Sequence, residues 1–375
     1  MVLGDICEVL DSKRIPITER DRVKGIYPYY GASGILDYVK DYIFDEKLIL
    51  LGEDGAKWGA GEKSSFIAEG KYWVNNHAHV LRSVGTKVTD NWLVYFLNFT
   101  DLTKYTTGLT VPKLNQEKMR SIPIPLPPIP EQQRIVAILD ESFAAIAKAR
   151  ENTERNLRNA HDLFESYLER VFATPCEGWE EKKLGEVCEL ITDGTHTTPN
   201  YISSGVPFLS VKNLTNGKID FSDTRFISQE EHQFLTKRCK PEIEDVLYTK
   251  VGTTGIAKVV DVDREFSIFV SVALLKIKHS IIFNRFLEYC LNSSFARKQA
   301  QKRTRGMANK NLVITDIKEI LIRYPAKLDE QHSIVDKLDC ISAETKKLEA
   351  IYRQKLAALD ELKKSLLQKA FNGEL

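Results

Sequence analysis

A long helical segment occurs twice in this chain, and its repetition constrains the fold more than any other feature. The first copy opens Glu-Gln-Gln-Arg-Ile-Val at 131–136 and continues to Phe172 without Gly or Pro. The second opens Glu-Gln-His-Ser-Ile-Val at 330–335, 199 residues after the first, and continues to Phe371. Apolar or small residues recur in both at spacings of three and four, the heptad pattern of helices that pack side by side.

The segments before the two helices repeat as well. Leu-Gly-Asp-Ile-Cys-Glu-Val at 3–9 is matched by Leu-Gly-Glu-Val-Cys-Glu-Leu at 184–190. An apolar run and a Gly-rich loop at 47–61 correspond to 245–255. A tandem duplication therefore predicts the order domain, helix, domain, helix, with boundaries at 1–130, 131–173, 174–329 and 330–375. Cys7 and Cys188 fall at matched positions, which favours core thiols over reactive ones.

Each globular domain is expected to be a strand-rich α/β mixture, so the fold class is α+β. Strands are predicted at 3–10, 47–51 and 77–82, with a short helix at 91–98. The prolines of 123–130 predict an extended exit from the first domain. Only a short turn joins the first helix to the second domain, so the second helix is expected to run back. The two helices then form an antiparallel coiled coil with pseudo-two-fold symmetry.

Composition excludes several classes of protein. The chain has no apolar run of the roughly eighteen residues that span a bilayer and no secretory signal pattern, so we expect a cytosolic protein without a membrane partner. None of the six cysteines has CxxC spacing, so neither a zinc site nor a disulfide framework is indicated. The net charge is +1. Any nucleic-acid surface must therefore be a local patch.

The strongest candidate patch lies at 297–310, which contains six basic residues and no acidic one. Its alternative interpretation is a solvated helix face. The Gly-rich loops are further candidates, with plain hairpins as the alternative. The candidate DNA-contacting residues are Lys57, Trp58, His77, Lys104, Thr107, Thr110 and Lys113 in the first domain, and His196, Lys212, Asn213, Lys250, Thr253, Thr254, Lys258, Lys302, Arg303, Arg305, Asn309 and Lys310 in the second.

Two unlike domains on a rigid spacer predict a molecular ruler. B-DNA presents equivalent surface on one face about every 34–36 Å, and two-fold proteins read half-sites at that spacing. Because the two domains have diverged, each is expected to read a different half-site. The target is then bipartite and asymmetric, with an unread spacer.

These motifs resemble those of the specificity subunits of type I restriction-modification systems. The similarity rests on Pro-Pro-Ile-Pro-Glu-Gln-Gln-Arg-Ile-Val at 127–136, Gly-Leu-Thr-Val-Pro-Lys-Leu at 108–114, Asp-Gly-Thr-His-Thr-Thr-Pro at 193–199 and the final Leu-Gln-Lys-Ala-Phe-Asn-Gly-Glu-Leu. The second domain departs from the pattern, since its exit segment at 322–328 has lost most of the prolines.

The resemblance implies a target-recognition subunit without catalysis of its own, built from two target-recognition domains. It implies that the helices dock two methyltransferase subunits and that up to two restriction subunits join them. S-adenosylmethionine, ATP and Mg²⁺ are then expected in those partners and not in this chain. Phe143, Phe164 and Tyr167 are predicted as exposed anchors on the helices.

The residues themselves agree with this expectation. The chain has no Asn/Asp-Pro-Pro-Tyr/Phe motif for amino methylation and no phosphate-binding Gly-x-x-x-x-Gly-Lys-Ser/Thr loop. His77 and His79 share one strand face, but no third metal ligand is evident. Two alternatives stay open: a self-sufficient DNA methyltransferase or nuclease, and a coiled-coil scaffold with no DNA role.

Overall fold

The computed structural model of the chain describes residues 1–108, 110, 112–173, 177–215, 217–306 and 310–375. These residues form two compact units. One comprises Met1–Arg155 with Arg353–Leu375, and the other comprises Asn156–Tyr352. Each unit therefore contains one globular domain and a part of both long helices.

The described residues of the first domain form two sheets and two short α-helices. Its strands are β1 (Cys7–Val9), β2 (Lys24–Gly31), β3 (Gly34–Val39), β4 (Phe44–Asp45), β5 (Leu48–Gly52), β6 (Ser65–Ala68), β7 (Lys71–Val74) and β8 (Ala78–Ser83). Its short helices are α1 (Asp90–Phe99) and α2 (Gln116–Arg120), and the long helix α3 (Ile129–Ala173) follows. The sheet orders are β1-β8-β5-β6 and β3-β2-β7-β4.

The second domain is built from a corresponding set of elements. In chain order they are β9 (Trp179–Lys183), α4 (Leu184–Val187), β10 (Cys188–Asp193), β11 (Val206–Leu209), β12 (Arg225–Ile227), α5 (Gln229–Thr236), β13 (Val246–Thr249), β14 (Ala257–Val259), β15 (Ser267–Ile268), β16 (Val272–Ile277), α6 (Asn284–Asn292), α7 (Ser294–Arg303), α8 (Ile314–Lys318) and β17 (Leu321–Pro325). The long helix α9 (Leu328–Asn372) follows. The sheet orders are β10-β16-β13-β14, β12-β11-β15 and β17-β9.

The central sheets confirm the duplication. In the first domain β8 lies between β1 and β5, and β5 also pairs with β6. In the second domain β16 lies between β10 and β13, and β13 also pairs with β14. All of these pairs are antiparallel. The second sheets also correspond, because each contains one parallel pair, β2 with β7 and β11 with β15. The predicted strand at 47–51 and helix at 91–98 are confirmed as β5 and α1.

The predicted opening strand at 3–10 is mostly wrong. Residues Leu3–Asp5 form a 3-10 turn and only Cys7–Val9 are strand, and in the second domain α4 precedes β10 in the same way. Leu3 and Ile6 are both buried. A spacing of three places two side chains on one face of a helical turn, whereas alternate residues share a face in a strand.

The long helices begin slightly earlier than the sequence indicates, at Ile129 and Leu328. Pro130 lies in the first turn of α3, where its missing N–H would have no helical partner. The predicted extended exit is thereby shortened to 123–128. In the second domain the corresponding segment is strand β17, paired with β9.

Within each unit the two helices pair antiparallel. In the first unit, Leu139 shares a core with Leu367, and further along α3 Arg150 forms an ion pair with Asp360. In the second, His161 lies 3.8 Å from Glu349, while Phe172 shares a core with Leu338. In both units, residues later in α3 contact residues earlier in α9, so the predicted antiparallel pairing is confirmed.

The predicted seam and anchors need correction. The heptad pattern places Leu163, Leu348 and Leu362 on the seam, but they are 56%, 37% and 47% exposed. The predicted anchors are half-buried instead of exposed, because they pack on their own domains. The ring of Phe143 contacts Tyr95, that of Phe164 contacts Tyr289, and Tyr167 packs against the core of the second domain.

Candidate nucleic-acid interface

In the first domain, three predicted segments meet beside the end of β5. The loop 107–113 is closed by mutual backbone hydrogen bonds between Thr107 and Lys113, both 2.8 Å long. It lies against the Gly-rich loop, because Leu114 N donates to Glu53 O at 2.8 Å. His77 joins them through a hydrogen bond between its Nδ1 and the Asp54 carboxylate. The exposed candidates here are Lys57, His77, Lys104, Thr107, Thr110 and Lys113.

The second domain repeats this arrangement. Arg305 and Asn311 close their loop with mutual backbone hydrogen bonds of 2.8 and 2.9 Å, and Leu312 N donates to Lys250 O at 2.7 Å. Gly108 and Gly306 have φ values of 94° and 92°. Gly108 follows Thr107 and Gly306 follows Arg305, so both glycines occupy the same position in their loops. Their positive φ is a backbone conformation that favours glycine. The two loops are therefore closed in the same way and carry different side chains at their described positions.

The second loop and the adjoining end of α7 carry the more basic surface. Lys302, Arg305 and Lys310 are exposed, and Arg305 is in contact with Asp316 at 3.0 Å. Arg303 is half-buried and donates to the carbonyl oxygens of Gln299 and Glu319. Asn309 lies outside the described residues. Of the other candidates, His196, Lys212 and Thr253 are exposed, whereas Thr254 is half-buried against Thr304.

Four predicted contacts are corrected by burial: Trp58, Asn213, Lys250 and Lys258. The indole of Trp58 donates to Gly52 O at 3.1 Å. The Asn213 side chain accepts from Ser210 N and donates to Asp220 O and Asp223 O. Lys250 and Lys258 are paired with Asp193 at 2.8 Å and Glu288 at 3.2 Å. Side chains held in this way are not available to DNA in this conformation.

The sequence did not reveal that an ionic cluster around a buried carboxylate supports each loop. In the second domain, the Asp193 carboxylate contacts Lys250 at 2.8 Å, Arg238 at 2.5 Å and His196 at 3.3 Å. Burial alone would raise the pKa of Asp193, but the hydrogen bonds and charges of Lys250 and His196 together outweigh it and the pKa is lowered. The cluster joins the 193–199 loop to the Gly-rich loop.

The first domain has a different cluster at the corresponding place. His79 bonds through Nδ1 to Asp11 at 2.6 Å and through Nε2 to Leu114 O at 2.7 Å. Glu53 is bonded to Arg14 at 2.5 Å and to Lys113 at 2.9 Å. The pKa values of Asp11 and Glu53 are both lowered, because their hydrogen bonds to these partners outweigh the effect of burial.

This first cluster also bears on the metal hypothesis. Within the described ranges, Asp11, Glu53 and His79 are the group whose ligand atoms lie close enough together, within 4.8 Å, to hold an ion. Arg14 and Lys113 already neutralise the carboxylates, and both ring nitrogens of His79 have protein partners. The geometry therefore favours an ion-pair network over a metal site. The other histidine of this strand region, His77, contacts Asp54 and does not belong to the group.

The comparisons agree with these two equivalent domains. Residues 1–154 and 176–357 match the model of the type I restriction modification DNA specificity domain. The chain belongs to this family. It is thus a specificity subunit, the DNA-recognition component of such a system and not a catalytic one.

Curated relatives cover most of the chain. A putative type I restriction enzyme specificity subunit of Haemophilus influenzae is 26% identical over 347 residues, which cover 90% of this chain and 86% of that protein. The MjaVIII specificity subunit of Methanocaldococcus jannaschii is 24% identical and covers 100% and 92% of the two chains. The EcoBI specificity subunit of Escherichia coli is 26% identical over 72% of this chain and 62% of its own.

Two solved structures share the fold of this chain. A chain from a study of complex assembly and conformational transition in the type I R-M system superposes with a TM-score of 0.75 at 20% identity, covering 100% of this chain and 97% of that one. The HsdS subunit of Thermoanaerobacter tengcongensis gives 0.59 at 19% identity, covering 100% and 96%. None of the helices in the described part of this chain combines the length and apolar character of a membrane span.

Proposed function

We propose that this specificity subunit reads a bipartite, asymmetric DNA target, with one half-site for each domain and an unread spacer between them. One observation carries the proposal. In both domains a loop is closed by mutual backbone hydrogen bonds, between Thr107 and Lys113 and between Arg305 and Asn311, and each loop is tied to the Gly-rich loop of its own domain, yet the exposed side chains differ. Equivalent frameworks with unlike surfaces suit two readers of unlike sequence.

The chemistry of the exposed residues supports contact with duplex DNA. Lys302, Arg305 and Lys310 supply cations for phosphate oxygens, and threonine, asparagine or arginine side chains supply donors for base edges. The exposed Phe234, 70% accessible on α5, adds an apolar group that sequence reasoning missed. It lines one groove with His196 and Arg238, where a ring suits contact with a thymine methyl.

The long helices are proposed as the docking surface for catalytic partners. Leu163, Leu348 and Ile351 are exposed apolar residues on the helical part of the second unit. In this proposal two methyltransferase subunits bind the helices and up to two restriction subunits join them. S-adenosylmethionine, ATP and Mg²⁺ would belong to those partners.

Mapping of methylated sites tests the target. The specificity subunit is co-expressed with its cognate methyltransferase subunits, and modified bases in the host DNA are located by sequencing. We expect one motif of two defined halves around a fixed gap. Exchange of residues 1–130 for the same region of another family member should alter one half and leave the other unchanged. A continuous motif, or a change in both halves, contradicts the proposal.

The two alternatives have their own outcomes. Methylation or cleavage of DNA by the purified chain alone would support a self-sufficient enzyme. Failure to bind any duplex at low salt, with or without the methyltransferase subunits, would support a scaffold with no DNA role.

A further inference from the structure

Each long helix carries one fully buried glutamine near its start, and the two glutamines make the same three hydrogen bonds. Gln132 accepts from Thr89 N at 2.9 Å and donates to Lys87 O at 3.0 Å and Pro127 O at 2.9 Å. Gln331 accepts from Phe283 N at 2.8 Å and donates to Ile281 O and Pro325 O, both at 2.9 Å. Both residues have 0% exposure.

These bonds tie three segments of the chain together. Thr89 and Phe283 are the residues that precede the first turns of α1 and α6. Pro127 and Pro325 belong to the exits from the two domains. A primary amide has two donors and an acceptor, so it can join a helix start, an exit segment and a long helix at one point. Loss of the side chain would leave buried backbone groups without partners, which is costly.

A second contact repeats eight residues further along each long helix. The hydroxyl of Tyr95 donates to Asp140, and that of Tyr289 donates to Asp339. Burial, together with the hydrogen bond to the aspartate, raises the pKa of both tyrosines. Eight residues correspond to about 12 Å along a helix. Two polar contacts at this separation, added to the apolar packing between helix and domain, restrict the tilt of a domain more than one contact does.

We propose that Gln132 with Tyr95–Asp140, and Gln331 with Tyr289–Asp339, are positioning residues that fix the angle of each DNA reader on its long helix. They would thereby set how strictly the subunit discriminates between spacer lengths. This inference rests on the proposed bipartite target. It assigns the buried glutamine of the Glu-Gln motif a role in target geometry that is separate from the reading of bases.

The test measures spacer discrimination in the complex with the cognate methyltransferase subunits. Duplexes carry the mapped half-sites with the native spacer or with one base pair more or fewer. The variants are Gln132→Met, Tyr95→Phe and Tyr289→Phe. The tyrosine variants remove one hydroxyl and keep the ring, so they preserve the packing. Val80→Ala, in a core cluster of the first domain that contains no long-helix residue, is the control for a general loss of stability.

We expect the ratio of Kd values between altered and native spacers to fall roughly tenfold in the positioning variants, while each half-site sequence is still required. Val80→Ala should keep the wild-type ratio. The inference is overturned if the tyrosine variants keep the wild-type ratio, or if Val80→Ala loses it equally. A wild-type complex with no bipartite preference contradicts the proposed function instead, so the two failures are distinguishable.

Discussion

At the residue scale, Asp193 supports the candidate DNA-binding loops of the second domain through its pair with Lys250. The two side chains are 9% and 5% exposed. Asp193→Asn leaves a buried cation without its partner, so we expect the free energy of unfolding to fall by about 3–5 kcal/mol. Urea denaturation measures it. The control is Asp223→Asn, because Asp223 is 88% exposed in its pair with Lys212 and should cost less than about 1 kcal/mol. Equal losses would contradict the role given to burial.

The same carboxylate predicts how stability depends on pH. The folded-state pKa of Asp193 is lowered, so its contribution is present above the unfolded value of about 3.9 and is lost as the pH falls through the folded value. Asp193→Asn should therefore show a weaker fall in stability below about pH 4 than the wild-type chain. An unchanged acid slope, measured by denaturation across that range, would show that the pair is not coupled to folding.

Two exposed cations, Lys302 at the end of α7 and Arg305 at the start of the second loop, make a separate prediction about DNA binding. Lys302→Ala with Arg305→Ala should weaken DNA binding and reduce the slope of log K against log salt by about 2, since each phosphate contact contributes roughly 0.9. Arg303 is kept, because it donates to two backbone carbonyls and its loss would disturb the fold. Fluorescence anisotropy over a salt series measures the slope. Lys364→Ala, 72% exposed on α9, is the matched control and should leave it unaltered.

The candidate residues also show what local sequence can predict. Glycines and repeated motifs are enough to locate the loops, and the structure brings them together. Burial of Lys250 and Lys258 was not foreseeable, because their partners Asp193 and Glu288 lie 57 and 30 residues away. A lysine beside a Gly-rich loop looks the same in sequence whether it faces solvent or a buried carboxylate.

At the scale of elements, periodicity identifies the long helices but not their exact contacts. Domain packing competes with the heptad seam for the same apolar residues. Near the end of α9, Phe371 packs on Trp92, Phe96 and Phe99 of α1 with ring centroids 5.0–5.3 Å apart. The helix pair is thus stabilised by its domain as well as by its seam.

Phe371→Ala tests that interpretation. Removal of the ring should lower the free energy of unfolding by about 3 kcal/mol, because the aromatic cluster loses its central member. Leu362→Ala, at a predicted seam position that is 47% exposed, should change it by less than about 1 kcal/mol. Thermal or urea unfolding distinguishes the two. If Leu362→Ala costs as much as Phe371→Ala, the heptad seam and not the domain contact holds the end of α9.

At the scale of the whole molecule, the duplication is the feature from which most of the architecture could be predicted. Two copies of one motif at a constant offset define domains and helices without any knowledge of their interiors. The bipartite target follows only if the helices act as a spacer. Both helices continue across the boundary between the compact units, after Arg155 in α3 and before Arg353 in α9.

An insertion at that boundary tests the spacer role. Four residues added after Arg155 and four before Arg353 lengthen both helices by about 6 Å and keep the antiparallel pairing within each unit. Because DNA rises about 3.4 Å per base pair, we expect the methylated motif to keep both half-sites and to gain roughly two base pairs of spacer. Four residues also add about 40° of helical rotation, which reduces affinity unless the DNA twist compensates.

The matched control inserts four residues at Gly85, a loop position where a side chain would extend into open space, and there the target should not change. A spacer of unaltered length in the helix variant, with methylation retained, would show that the long helices hold the catalytic partners without setting the distance between the two readers.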